Sequence, residues 1–241
     1  MAKLLILLFS GLKFGKLLTT GGTMLLSVAA YAFVFGWHYA AGFVVLLFIH
    51  ELGHYVAARQ RGLAVGAPTF IPFVGAWIDL KEQPMDVETE TYIGLAGPVA
   101  STVGAMLCYG LARWTDSQLL LALAYAGCFL NLFNLIPLAP FDGGRITAVL
   151  SPRIWFLGVP VLVALFVWGM SPILVRMAIL AVPQLTKAWR YDPDAPEHRA
   201  YCSISAEARL TFTVYYLGLV VFLAMMTHEL HGMLETIRPA G

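Results

Sequence analysis

Charge is scarce in this chain: Asp, Glu, Lys and Arg together make 12% of its 241 residues, against 59% hydrophobic. An ordinary globular domain carries about twice that charged share, so a water-soluble fold wrapped in a polar shell is excluded. A mean hydropathy of +0.77 instead describes an integral membrane protein. Cysteine is equally sparse. Cys108, Cys128 and Cys202 are odd in number and lack C-x-x-C spacing, which excludes a disulfide framework and a thiolate metal site. Net charge is only +1, with no basic patch interleaved with aromatics, which argues against nucleic acid as a partner. No small-residue cleavage site follows the apolar residues of Met1 to Gly22, so this stretch, with Lys3, Lys13 and Lys16, reads as an uncleaved amphipathic segment on the membrane surface. No polar stretch is long enough for a separate soluble module, and there is no internal repeat. A single domain over 1–241 is expected.

What the chain has in quantity is apolar runs near the roughly 20 residues that a helix needs to cross the hydrocarbon. They fall at about 17–36, 39–60, 90–113, 118–150, 154–170, 172–189 and 209–231. The expected fold class is an all-α polytopic membrane protein with six or seven transmembrane helices. The pair flanking Ser171-Pro172 is short, and Arg176 interrupts its second half, so a tilted or re-entrant hairpin there gives the lower count. Threading seven spans collects most Lys and Arg residues on one side, among them Arg59, Arg61, Lys81, Arg145, Arg153, Lys187 and Arg190, and leaves Arg113 and Arg238 on the other. Cationic loops stay in the cytoplasm, which fixes the orientation and makes the plasma (inner) membrane the expected location.

Residues 62–87 form the longest non-helical stretch. Gly62, Gly66, Pro68, Pro72, Gly75 and Pro84 punctuate apolar residues there and forbid a helix. Two arrangements fit. A membrane-dipping β-hairpin at about 66–80 satisfies its backbone beside a wet cavity, and an interfacial loop satisfies it in headgroup water.

His50-Glu51-Leu52-Gly53-His54 closes an apolar run that begins near Thr23. On a helix, positions i and i+4 share a face, so both imidazoles can grip one zinc ion while the Glu51 carboxylate between them holds a water. Arg59 and Arg61 follow within seven residues, which puts such a site about 8–10 Å inside the membrane from the cytoplasmic face at the helical rise. A catalytic zinc takes three protein ligands and keeps a fourth position open. In Asn134-Leu135-Ile136-Pro137-Leu138-Ala139-Pro140-Phe141-Asp142-Gly143-Gly144 an acid lies in a span that prolines and paired glycines must break. Broken backbone is tolerated in lipid only where it lines a cavity, and Asp142 there would complete a His50, His54, Asp142 set. Each isolated carboxylate deep in a span costs about 2.5–3.5 kcal/mol on insertion scales, so Glu51 and Asp142 both demand compensation. A divalent cation supplies it. No Lys or Arg inside either span is placed to do so, since Arg145, the nearest, points toward the cytoplasm. The alternative is a buried polar network of the same residues without metal.

With these residues in view, the chain resembles the site-2 protease family of intramembrane zinc metalloproteases. The resemblance rests on His50-Glu51-Leu52-Gly53-His54 and on the Asn134 to Gly144 segment, supported by Gly97-Pro98 in the third span, and it extends across residues 14–150. It implies one catalytic Zn2+ held by His50, His54 and Asp142, with Glu51 as the catalytic base and Asn134 holding the substrate backbone. It also implies that residues 66–80 match the family's membrane-dipping hairpin. The implied activity is hydrolysis of peptide bonds within or next to transmembrane segments of other membrane proteins. Two departures stand out. Phe141 replaces the Leu common before the ligand Asp, and the chain carries no PDZ or CBS module, so another device selects substrates. After residue 150 the resemblance fades, and the spans at 154–231 are read from hydropathy alone.

Two other classes were weighed. A metal transporter also places His and Asp in the membrane, but conduction wants successive sites whereas these ligands converge on one. A non-enzymatic scaffold would not need the intact ligands and base. His228-Glu229-Leu230-His231 has i, i+3 spacing and reads as an interfacial cluster. His38 sits at headgroup level beside Trp37, and His198 lies in the polar connector. Gly94, Gly97, Gly104 and Gly110, with Ala96, Ala100 and Ala105, give the third span a small-residue face for close packing.

Overall fold

Helices account for most of the computed structural model, which describes residues 2–73, 75–78, 84–169, 172–193 and 195–237. Val74, residues 79–83 with Lys81, Ser171 and Arg238 lie outside the described residues. In chain order the elements are α1 (Ala2–Phe35), α2 (Trp37–Gln60), β1 (Thr69–Ile71), β2 (Gly75–Trp77), α3 (Val87–Thr115) and α4 (Gln118–Asn134). They are followed by α5 (Asp142–Thr147), a 3-10 turn (Pro152–Leu157), α6 (Gly158–Gly169), α7 (Pro172–Trp189), α8 (Pro196–Tyr201) and α9 (Ala206–Ile237).

Among the described residues three helices, α2, α3 and α9, are long and apolar enough to cross a membrane. Shorter apolar helical stretches occupy Thr19–Phe35, Gln118–Asn134 and Pro152–Val167. Large apolar side chains such as Phe33, Leu107, Leu210 and Met225 point outward and exposed, the inverse of a soluble surface. The molecule is an integral membrane protein. Two boundaries differ from the hydropathy reading. The run expected as one span over 118–150 ends its helix at Asn134, because Pro137 and Pro140 cannot donate to the ladder. The N-terminal segment and first span form one continuous helix: Thr23 Oγ1 donates to the Thr19 and Thr20 carbonyls, at 2.8 and 3.1 Å, across the Gly21-Gly22 pair.

The central layer is α2, α3 and α4. Asp86 caps α3, its carboxylate accepting from Thr89 N at 2.7 Å, and Glu88 and Glu90 add charge favourable to a helix start. Close approach requires glycine. A Cβ on Gly53 would lie 2.4 Å from the Ala96 carbonyl oxygen, and one on Gly127 would lie 2.9 Å from Ala105 Cβ. Arg61 ties the end of α2 to the start of α3, with Nη2 3.4 Å from Glu88 and its guanidinium 4.5 Å from the Tyr92 ring centroid. Helix α9 covers α4 through Tyr216, Leu223 and Leu230, a stripe at seven-residue spacing buried with Leu121, Ala124 and Cys128.

The two strands pair antiparallel in the register Thr69 to Trp77, Phe70 to Ala76 and Ile71 to Gly75. Side chains of α1 pin this unit from one side: Thr20 Oγ1 donates to Pro68 O at 2.8 Å, Phe70 N donates to Thr23 Oγ1 at 3.3 Å and Phe73 N donates to Tyr31 Oη at 3.1 Å. Phe70 is buried among Tyr31, Val44 and Leu47. All three cysteines are free thiols.

Candidate metal centre

Helix α2 presents His50 and His54 one turn apart on the face turned toward α3, both buried. The irregular segment after α4 turns back through Pro137 and Pro140 to start α5 at Asp142, and so carries the carboxylate to the same point. His50 Nε2 lies 3.0 Å from Asp142 Oδ2, His54 Nε2 lies 3.2 Å from Asp142 Oδ1, and the two Nε2 atoms are 3.1 Å apart. Among the described residues this is the group of three metal-capable side chains whose ligand atoms converge, all within 4.8 Å of one another.

The surrounding hydrogen bonds decide which ring nitrogens carry protons. His54 Nδ1 faces the Ile93 carbonyl oxygen at 2.7 Å, an acceptor without a proton to give, so Nδ1 donates and Nε2 presents its lone pair. His50 Nδ1 lies 3.2 Å from Asn131 Oδ1 and 3.1 Å from Ser101 Oγ. Ser101 Oγ donates to Asn131 Oδ1 at 2.6 Å, while Asn131 Nδ2 donates to Thr102 Oγ1 at 3.2 Å. Asn131 Oδ1 is thus the acceptor for both neighbours, and His50 also turns a bare Nε2 inward. Two imidazole lone pairs and a carboxylate repel one another unless a cation sits among them. Nitrogen and oxygen ligands about 2.0–2.1 Å from a tetrahedral zinc stand roughly 3.3–3.4 Å apart, close to the separations found here. The donor set fits such an ion.

Residues 38–117 match the model of peptidase family M50. Over that stretch the chain is similar to this family. The M50 match takes in His50, Glu51, His54, Gly97 and Ser101 and stops before Asn131 and Asp142. A Methanocaldococcus jannaschii protein named zinc metalloprotease MJ0392 is 33% identical over 123 residues, covering 47% of this chain and 35% of that protein. The Rip3 protein of Mycobacterium tuberculosis is 34% identical over 133 residues, covering 50% of this chain and 33% of its own. The aligned part thus spans about a third of the length of these curated relatives. A solved site-2 protease from Methanocaldococcus jannaschii aligns with a TM-score of 0.46 at 22% identity, covering 76% of this chain and 87% of that one.

In this chain the cluster opens onto a cavity of about 170 Å³ whose lining includes Glu51, Asn134, Ala76, Ile78 and Arg145. Glu51 is buried beside the histidines, and Asn134, half-buried as the last residue of α4, reaches the same space. The structure therefore brings together all five residues singled out from the sequence. Arg145, exposed on the short helix α5 three residues after Asp142, shares its face and also lines this cavity.

Sequence reading missed Ser101, Asn131, the Ile93 carbonyl and the specific role of Gly97. A Cβ on Gly97 would fall 2.2 Å from His54 Nε2, so that glycine is the seat of the imidazole rather than one member of a packing face. A fully buried Asn in the apolar helix α4 was the available signal for Asn131. The histidines set aside stay apart: His228 and His231 are exposed on α9, with His231 Nε2 3.2 Å from Glu235 Oε1, and His38 is exposed.

Proposed function

We propose that this chain is a zinc-dependent endopeptidase that cuts peptide bonds within or next to transmembrane segments of other membrane proteins. The observation that carries this is the convergence of His50 Nε2, His54 Nε2 and Asp142 beside Glu51 in a cavity enclosed by apolar helices. The M50 match and relatives named zinc metalloproteases support the same chemistry. His50, His54 and Asp142 hold one Zn2+, which when bound supplies the Lewis acidity that activates water and polarises the scissile carbonyl. Glu51 accepts the water's proton and returns it to the leaving amine, a positioned acid and base contributing about 10²–10⁴-fold.

The substrate must be unwound, since a helix hides its carbonyl carbons behind side chains and engages its amides internally. Asn134 offers an amide donor and acceptor to the extended strand. The outer edge of β1 is already occupied, its Phe70 N–H bonded to α1, whereas Ala76 of β2 lines the cavity. An extended segment laid along β2 by strand addition would pass the metal ligands and Asn134, which is the use we assign to this hairpin, dipping into the bilayer. We read six or seven crossings in the plasma membrane, and Arg59 and Arg61 at the end of α2 support a centre near its cytoplasmic face.

The deciding experiment is Glu51→Gln on the purified full chain. Peptide-bond cleavage of a membrane-protein substrate in reconstituted vesicles falls at least about 100-fold while bound zinc is retained. Cleavage at the wild-type rate would overturn the role of Glu51, and zinc flux across the vesicle wall without cleavage would turn the reading toward transport. The same variant, used to trap a bound partner for mass spectrometry, identifies the substrate.

A further inference from the structure

We propose that the elements after residue 150 frame the metal centre, with Gln184, Trp155 and Tyr216 positioning Asp142 by taking up backbone polar groups of the broken segment that carries it. The inference rests on the reading of His50, His54 and Asp142 as metal ligands and adds the cause of Asp142's placement.

The segment from Leu135 to Phe141 has lost its helical ladder, and α5, at six residues, is too short to satisfy its own ends. Local turn bonds pair Ile136 N, Leu138 N and Phe141 N, and polar groups they leave, which unpaired at this depth would each cost several kcal/mol, find partners in three later elements. The Tyr216 hydroxyl on α9 donates to Leu135 O at 2.7 Å. Ala139 N donates to Gln184 Oε1 on α7. The Trp155 indole in the 3-10 turn donates to Gly144 O at 2.8 Å, two residues beyond the ligand itself. Packing points the same way: Ile136, Leu138 and Phe141 are buried in one cluster with Leu162, Leu174 and Ala181 of α6 and α7. The fit is close, because a Cβ on Gly158 would lie 2.6 Å from Leu138 Cβ and 2.9 Å from Pro137 O.

The two kinds of ligand share α3, which also bonds α5 through Thr91 Oγ1 to Ile146 O at 3.5 Å, and differ in their other supports. The histidines are oriented by α3 and α4 through Ile93, Ser101 and Asn131. The carboxylate is oriented by α6, α7, α9 and the 3-10 turn. None of the three framing side chains lies within residues 38–117.

The test measures zinc affinity of the full chain in detergent by competition with a fluorescent chelator, with the folded fraction followed by circular dichroism. Gln184→Leu and Trp155→Phe each weaken zinc binding by about 10–100-fold, the usual effect of losing a group that orients a ligand. Asp142→Ala weakens it further, and adding Gln184→Leu to Asp142→Ala has no additional effect, because the frame acts through that carboxylate. If Gln184→Leu and Trp155→Phe leave the affinity unchanged while Asp142→Ala lowers it, the frame is refuted and the metal centre stands. An equal loss from Gln184→Leu with and without Asp142 also refutes the frame, as a general rather than a positioning effect. Unchanged affinity in Asp142→Ala refutes the metal-centre reading itself. Should Gln184→Leu not fold, Tyr216→Phe, which keeps side-chain shape and deletes one polar atom, and Trp155→Phe, which removes the indole N–H together with part of the ring, decide the question.

Discussion

His54 rests against Gly97 so closely that a single methyl group at position 97 would sit 2.2 Å from its Nε2 atom. The imidazole cannot retreat freely, since its Nδ1 is anchored on the Ile93 carbonyl at 2.7 Å, one turn earlier on the same helix. Gly97→Ala therefore breaks either that anchor or the approach of Nε2 to Asp142. Zinc affinity falls about 10–100-fold by chelator competition, as for lost orienting contacts elsewhere. Gly110→Ala on the same helix, where a Cβ meets nothing within 4 Å, leaves affinity unchanged. Equal effects of the two substitutions would count against Gly97 as the seat of His54.

Much of the centre was legible because its signals are local. The i, i+4 spacing of His50 and His54 fixes their shared face whatever packs against it, and the prolines before Asp142 announce broken backbone wherever it ends up. Seating His54 on Gly97, and Asn131 beside His50, depends on the register of α2 against α3 and α4, which no single segment encodes. The Ile93 carbonyl has no side-chain signature at all. The run at 118–150 misled for a related reason: Leu135, Ile136 and Leu138 are as apolar as a spanning helix, but Leu135 is buried in the cluster with Tyr216 and Leu223 of α9, and Ile136 and Leu138 against α6 and α7. That Arg145 also lines the cavity follows from the start of α5, a boundary set by tertiary packing.

Outside the spans, alkaline pH should loosen one specific contact. Tyr201 on α8 donates to the Glu90 carboxylate, and burial, reinforced by that neighbouring charge, raises its pKa above the usual 10.0. The native state then binds the phenolic proton more tightly than the unfolded chain does. Its contribution to stability is complete below pH about 10 and is lost as pH climbs toward the raised native value. Thermal unfolding midpoints of the wild type should fall more steeply above that pH than those of Tyr201→Phe, which has no proton to lose. Parallel curves would remove Tyr201 as the cause.

Asn131 and Asn134 lie one turn apart on α4, yet only the first touches a metal ligand. Asn131 is 0% exposed and serves His50, Ser101 and Thr102, so Asn131→Ala strands buried donors at about 1–3 kcal/mol each and frees the His50 ring to rotate. Asn134 lines the cavity, and its side chain makes no hydrogen bond to another protein group among the described residues, so Asn134→Ala removes only what a substrate would use. The two substitutions should separate cleanly. Asn131→Ala lowers zinc affinity about 10–100-fold and the melting temperature with it, whereas Asn134→Ala keeps both and raises KM for the membrane-protein substrate. Titrating zinc and measuring initial cleavage rates on the same preparations checks each arm. An Asn134→Ala protein with altered zinc affinity, or with unchanged KM and kcat, would sink the assignment of that side chain to substrate.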